Sequence, residues 1–357
     1  MIALKNAQEL APKLNILVNG SQLDLGKKFA IQKVEISKEI GTLGMFEIQI
    51  VIWDLAKNQV GWIDSDIFNI GTPVELQLGY GDRLATVTVG EITGLEPEFA
   101  QNSVPTMVVR GHDLGHRLMR GRKTRSFMKM KDSAIIEQIA RDAGLSVQAE
   151  DTKVKLDYVL QHNQSDLEFI QGRAKRIGYE VFWDQETLNF RSIKNDTIKS
   201  LTLKYPDDII DFSPRLSTLG QAERVEVRAW DGQEKKPIID SAIADTQRSK
   251  MGKTTGPTAV TSEFGKVTQG IVTQPIRNKE EAKQIAVGQF SEMALTYITG
   301  EGTCMGRTDL RMGKTIEITN IGQRFSGLYY VTATTHTYTR GGGYQTKFTV
   351  KKNANDL

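Results

Sequence analysis

His112 and His116 stand four residues apart with Asp113 between them, and on a helix that spacing would aim two imidazoles at one divalent metal. Gly111 and Gly115 lie beside them, so helical spacing is not assured, and no carboxylate follows at the distance of a zinc-protease helix. Gly252-Lys253-Thr254 and Gly313-Lys314-Thr315 each look like the end of a phosphate-binding loop. Gln247 and Thr308 occupy the positions where such a loop needs its first glycine, so both read as turns. There is no Gly-x-Ser-x-Gly elbow to anchor an acyl-transfer triad. Asp207-Asp208 follows Pro206 and reads as a turn before Ile209 and Ile210, not as a pair of catalytic carboxylates. Cys304 is the single cysteine, which excludes an intramolecular disulfide and a cysteine-built zinc site. On these residues the chain reads as a non-enzyme, and no catalytic, cofactor-binding or metal-ligating residue is assigned.

The most biased stretch is residues 110–131. Arg110, Arg117, Arg120, Arg122, Lys123, Arg125, Lys129 and Lys131 face a single acid, Asp113. Arg110, Arg117, Arg120, Arg122, Lys123 and Arg125 are the candidate interface. Two readings stand side by side: a polyanion contact, such as nucleic acid or an acidic partner, or a solvated or intersubunit face. Aromatic interleaving is poor, with only Phe127. The whole chain carries a net charge of only +3, so no global field demands nucleic acid or membrane.

The elements that would position these residues fall into three stretches. The 357 residues, 39% hydrophobic and 25% charged, suffice for two or three domains with a sizeable core. Residues 1–111 read as a first β-barrel domain. Leu14, Ile16 and Val18 alternate and end at the tight-turn pair Asn19-Gly20; Phe46, Ile48, Ile50 and Ile52 form a period-two stripe, as do Val74, Leu76 and Leu78. Residues 112–196 read as a small α/β module. Asp132 or Ser133 caps a helix that Gly144 stops, Ser165 and Glu168 form a capping box, and Tyr179 to Trp183 returns as a strand. Residues 197–357 read as a second barrel, with Leu201 and Leu203, then Val225 and Val227, as strand stripes. Residues 232–275 are polar and carry Gly252, Gly256, Pro257, Gly265 and Gly270, so a long loop or partly mobile insertion is expected there. A helix capped by Asn278 follows over about 278–297. The fold class is therefore α+β, mainly β: two related antiparallel β-barrel domains with an inserted α/β module. The opening residues lack a basic leader with an apolar run, and no window approaches 18 apolar residues. Synthesis in a cytoplasm without membrane insertion is expected, with exit by assembly or lysis.

The two β stretches repeat one pattern. Gly71, then Val74 to Leu76, then Ile92, Phe99 and Val108 run in the same order and at nearly the same separation as Gly313, Ile316 to Ile318, Val331, Tyr338 and Phe348. Residues 70–110 and 312–351 are expected to superpose as two separate copies with one strand order, and one sheet shared by both would count against a ring of six similar units.

Four strings then resemble a known family. They are Gly111-His112-Asp113 with the basic run to Phe127; Gln164 to Ile170 with Ala174 and Gly178-Tyr179; Val227 to Asp231; and Gly327 to Val331 with His336 and Gly342 to Thr346. In this order the chain is similar to phage late-control gene D proteins, which share the hub portion of VgrG spikes. The resemblance implies a non-enzymatic homotrimer with two barrels per subunit and pseudo-sixfold symmetry. Its partners would be a hexameric inner tube, a trimeric spike and other baseplate components, with no cofactor and nucleic acid only in transit through the channel. Since the sequence ends at Leu357 after the second barrel, the spike is expected to be a separate protein.

Overall fold

The computed structural model describes residues 11–24, 30–54, 57–195, 198–244, 249–272 and 275–357. The first ten residues, Gln247 and the expected boundary at 196–197 lie outside them. Counting strands of three residues or more, the first stretch contains β1 (Pro12–Val18), β2 (Ala30–Glu39), β3 (Met45–Val51), β4 (Pro73–Tyr80), β5 (Arg83–Glu98) and β6 (Thr106–His112). They hydrogen-bond in the order β2-β3-β6-β5-β4-β1. Alternation builds this unit. Val34, Ile36, Phe46, Ile48, Ile50, Val74, Leu76 and Leu78 all point inward and are buried in one cluster. Each such side chain stabilises the fold by about 2 kcal/mol. The strand β5 turns the corner of the unit. Its first half pairs with β4 and its second half with β6.

Next come β7 (Lys123–Lys131), α1 (Asp132–Asp142), β8 (Ser146–Ala149), β9 (Lys155–Gln164), α2 (Asp166–Arg176), β10 (Tyr179–Asp184) and β11 (Thr187–Ser192). Ser165 and Glu168 close the capping box of α2 reciprocally. The helix α1 starts differently from expectation: Lys131 is its N-cap without a side-chain bond, and Asp132 instead receives Arg173 Nε at 2.6 Å.

The last stretch holds β12 (Thr202–Lys204), β13 (Ile209–Leu216), β14 (Arg224–Asp231), β15 (Lys236–Ile243), α3 (Gly256–Phe264), β16 (Thr268–Ile271), α4 (Lys279–Leu295), β17 (Ile298–Met305), β18 (Thr315–Thr319), β19 (Gly327–Thr339) and β20 (Gly343–Lys352). Six of these bond in the order β13-β17-β20-β19-β18-β12. That is the order of the first unit, strand for strand. The registers agree as well: Pro73↔Glu91 to Leu76↔Thr88 correspond to Thr315↔Tyr330 to Ile318↔Gly327. One difference is that β1 runs antiparallel to β4 whereas β12 runs parallel to β18.

Two expectations are corrected. The units are not separate sheets. The second half of β19 pairs antiparallel with β2 and joins both into one 13-stranded sheet. Pairing covers two strand edges that would otherwise leave rows of N–H and C=O groups bare. Second, residues 217–297 add no strand to the second unit's sheet, although Tyr297 is buried in its core. They fill the connection between β13 and β17, where the first unit has only the short turn between β2 and β3. Here β14 pairs with β15 and β16 in its own sheet. Val225 and Val227 bury against Ile285 and Phe290 of α4, in the same cluster as Ile135, Phe169 and Trp183 of the module. The stretch 232–275 is accordingly not one long loop, although 245–248 and 273–274 lie outside the described residues. Met251 is buried, and its N–H bonds to Asn353 Oδ1 at 2.9 Å, which ties this stretch to the last strands.

The inserted helix crosses the module at two glycines. A Cβ on Gly288 would sit 2.0 Å from the Ile177 carbonyl oxygen, and Gly178 holds a left-handed φ of 62° directly opposite. Gly288→Ala is therefore expected to destabilise the fold by about 1–3 kcal/mol through overpacking, read as a fall in the urea midpoint. An unchanged midpoint would contradict the close crossing.

Candidate interaction surface

Residues 110–131 leave β6, make a 3-10 turn over Leu114–Met119 and enter β7. Asp113 organises the turn. Its carboxylate accepts from Gly115 N at 3.0 Å and from Gly44 N at 2.6 Å, so one buried side chain fixes both the turn and the β2–β3 connection. Burial raises its pKa to about 6, against the pull of the Gly44 bond and of Lys38.

The histidines are structural. His116 Nε2 lies 2.8 Å from Glu91 Oε2, and His112 Nδ1 lies 2.8 Å from Thr93 Oγ1. No group of three His, Cys, Asp or Glu residues suited to a metal occurs among the described residues.

The basic run is largely neutralised within the fold. Arg110 meets Glu47 at 2.7 Å and Glu96 at 3.3 Å. Arg117 grips Glu91 with two donors, the Nε one at 3.1 Å. Arg122 reaches Glu168 at 3.0 Å, and Lys131 reaches Asp151 at 2.8 Å. Lys123 and Arg125 converge on the buried Asp166, each at 2.6 Å, where Gln161 adds a third bond at 2.9 Å. Among the described residues, Arg120 and Lys129 alone of the run have no such partner and are exposed. Of the six candidate interface residues, five thus serve internal ion pairs, and Arg120 points outward.

These pairs also set the acid response. Bonds from Arg117 hold Glu91 below its ordinary 4.5, more than burial raises it. Burial would raise Asp166, but Lys123, Gln161 and Arg125 outweigh it and hold the group below 3.8.

Where module and units meet, a polar cavity of about 170 Å³ is lined by Lys38, Asp184, Arg191, Arg311 and His336. It is smaller than the few hundred Å³ that organic ligands occupy. Arg191 stacks on Phe182 and donates to the Gly313 carbonyl at 2.8 Å, while Tyr330 donates to Glu180 at 2.6 Å. Arg311 donates to the Thr86 carbonyl at 3.0 Å. The polar groups at this junction bind the parts of the chain to one another. Burial pushes Glu180 up to about 7 and His336 down to about 3, which keeps the imidazole neutral.

An Alg8 N-terminal domain family model matches residues 8–340. The chain belongs to that family. The match is thus not to the late-control gene D family that the sequence strings resemble. No curated protein matches the sequence. Among solved structures, the 43 kDa tail protein of prophage MuSo2 from Shewanella oneidensis is similar at TM-score 0.72 and 14% identity, covering 96% of this chain and 98% of that one. The tail protein from Neisseria meningitidis MC58 reaches 0.69 at 13%, covering 96% and 97%. The E. coli c3393 protein, a component of the type VI secretion system, reaches 0.61 at 13%, covering 96% and 79%. At these identities the likeness concerns the fold: this family member has the fold of phage tail proteins. No helix among the described residues is long and apolar enough to cross a membrane.

Asp166→Ala strands Lys123, Arg125 and Gln161 and is expected to cost about 3 kcal/mol, whereas Arg120→Ala changes stability by less than about 0.5 kcal/mol. Because Asp166 titrates below its unfolded value of 3.8, its contribution is present above that pH and fades as pH falls through the depressed value. Urea melts from pH 7 to pH 3 should show the Asp166→Ala deficit shrinking at the acid end. A deficit independent of pH would contradict the pairing.

Proposed function

We propose that this protein is the structural, non-catalytic hub of a phage-tail or related contractile-injection baseplate, of the late-control gene D and VgrG-hub type. Three copies form a ring with pseudo-sixfold symmetry. It joins a hexameric inner tube to a trimeric spike and contacts other baseplate components. Nucleic acid meets it only in transit through the channel.

The observation that carries this reading is the internal repeat. Two six-strand units of one strand order stand in a single chain and, contrary to the expected separation, are joined edge to edge, as neighbours in one continuous ring wall would be. A tube with six equivalent edges and a spike with three cannot match through one unit per chain. Two similar units per chain, taken three times, offer six positions to the tube and three to the spike. The fold likeness to tail proteins and to a type VI component supports the same reading. Five of the six candidate basic residues already serve carboxylates, which leaves little free charge for a polyanion.

Light scattering of the purified chain, alone and mixed with the inner-tube and spike proteins of its own system, should give three copies of the 39.8 kDa chain. A monomer in every mixture would contradict the hub reading.

A further inference from the structure

Besides β1 or β12 at one end, each unit presents two outer edges: its second strand, β2 or β13, and the far half of its fifth, β5 or β19. Within the chain one of each is used. The far half of β19 pairs with β2 through Ala333↔Glu39, Thr335↔Ser37, Thr337↔Glu35 and Tyr338↔Val34. The counterpart edges, β5 beyond Ile92 and the outer side of β13, have no strand partner among the described residues. Burial separates the used edges from the unused. Val34, Ile36, Thr334 and His336 are buried, whereas Phe99 is 59% and Ile210 50% exposed. Glu96, Pro97 and Glu98 are exposed too.

We propose that β5 of one chain pairs with β13 of a second copy in the same way that β19 pairs with β2 inside the chain. Bulges fix the register. β5 shifts against β6 between Ile92 and Gly94, and β19 shifts against β20 between Val331 and Ala333. β2 shifts against β3 between Ile31 and Lys33, and β13 shifts against β17 between Ile209 and Asp211. Aligning the bulges puts Glu96, Pro97, Glu98 and Phe99 in the places of Thr335, His336, Thr337 and Tyr338. It puts Phe212, Ser213, Pro214 and Arg215 in the places of Val34, Glu35, Ile36 and Ser37. The joint therefore sets Glu96 opposite Arg215 of the second copy, Glu98 opposite its Ser213, and Phe99 opposite its Phe212.

Two features of this register are complementary. At the rung where the internal joint has Ser37 Oγ and Thr335 Oγ1 3.3 Å apart, the external joint has the Glu96 carboxylate, which Arg110 of its own chain also meets at 3.3 Å, facing a guanidinium. Arg215 is exposed and has no ion pair among the described residues. Tyr338 packs onto the first unit's core; Phe99, in its place, reaches Phe212, which packs onto the second unit's core. One rung carries a pair of prolines. In the internal joint Ile40 N donates to the Thr332 carbonyl and Arg340 N to the Gln32 carbonyl, both at 3.0 Å. The His336–Ile36 rung lies in phase with these and is of the hydrogen-bonded kind. Pro97 and Pro214 take those two places, so this rung makes neither of its two hydrogen bonds and the joint rests on the rungs beside it.

The contact joins unlike edges, so copies follow head to tail around a ring. Closure at three rests on the hub reading above; the joint itself rests on strand register.

Pairs such as Glu98 with Ser213 fall on rungs without hydrogen bonds, where Cα atoms lie about 4.5 Å apart, within disulfide reach. The full chain carrying Glu98→Cys and Ser213→Cys, oxidised and run on a non-reducing gel, should give covalent species of up to three chains. Neither single variant should form the series, since Cys304 is buried. Glu96→Arg or Arg215→Glu alone should lower the assembled fraction roughly tenfold, and the double reversal should restore it. A trimer by light scattering that neither cross-links nor responds to charge reversal overturns the joint and leaves the hub reading standing. A chain that stays monomeric at every concentration overturns both.

Discussion

The pairing of β19 with β2 is the contact on which the rest of the structure depends. Among the described residues it is the one place where the two repeated units share backbone hydrogen bonds, and it converts two six-strand units into one sheet. Main-chain pairing of this kind fixes geometry tightly, because a slip of one residue would turn every inward side chain outward. The stripes ending at Tyr338 and Val34 leave no room for such a slip. Buried polar groups tighten the same seam: His336 bonds Tyr344 at 2.7 Å, and Arg311 crosses from the second unit to the Thr86 carbonyl of the first.

The module and the insertion brace this seam from one side. Asp113 ties the β2–β3 connection to the turn that leads into the module, and the Gly41 N–H bonds to the Val181 carbonyl at 2.8 Å. The insertion then packs α4 across the glycine corner at Gly178 and shares one hydrophobic core with the module. The chain between the strands of the second unit therefore supports the first excursion of the polypeptide as well as the barrel from which it emerges, into whose core it sends Tyr297. The basic run belongs to this bracing, since its partners Glu91, Glu47, Asp166 and Glu168 come from both the first unit and the module.

Much of this was legible in the sequence, and the reasons are local. Period-two stripes such as Phe46 to Ile52 mark strands because one face is buried, and Ser165 with Glu168 marks a helix start because the motif satisfies its own donors. The repeat was legible because both copies keep the same strand order. What escaped was long-range. Val225 and Val227 alternate like barrel residues, but alternation reports a buried face and not which sheet buries it. The stretch 232–275 looked like a loop because β15 is an edge strand with polar faces and α3 is short and rich in small residues. The charge of 110–131 looked free because its carboxylates lie tens of residues away in sequence. Whether the two units share a sheet could not be read at all, since backbone edge pairing leaves no side-chain signature.

The central claim is that one chain supplies two equivalent positions to a ring built from three copies. Cryo-electron microscopy of the assembled particle tests it most directly. The account predicts a β-lined ring that looks sixfold at its wall and only threefold at its periphery, where the module and insertion occur once per chain. A particle whose two units occupy unrelated environments, with no sixfold wall, would contradict it.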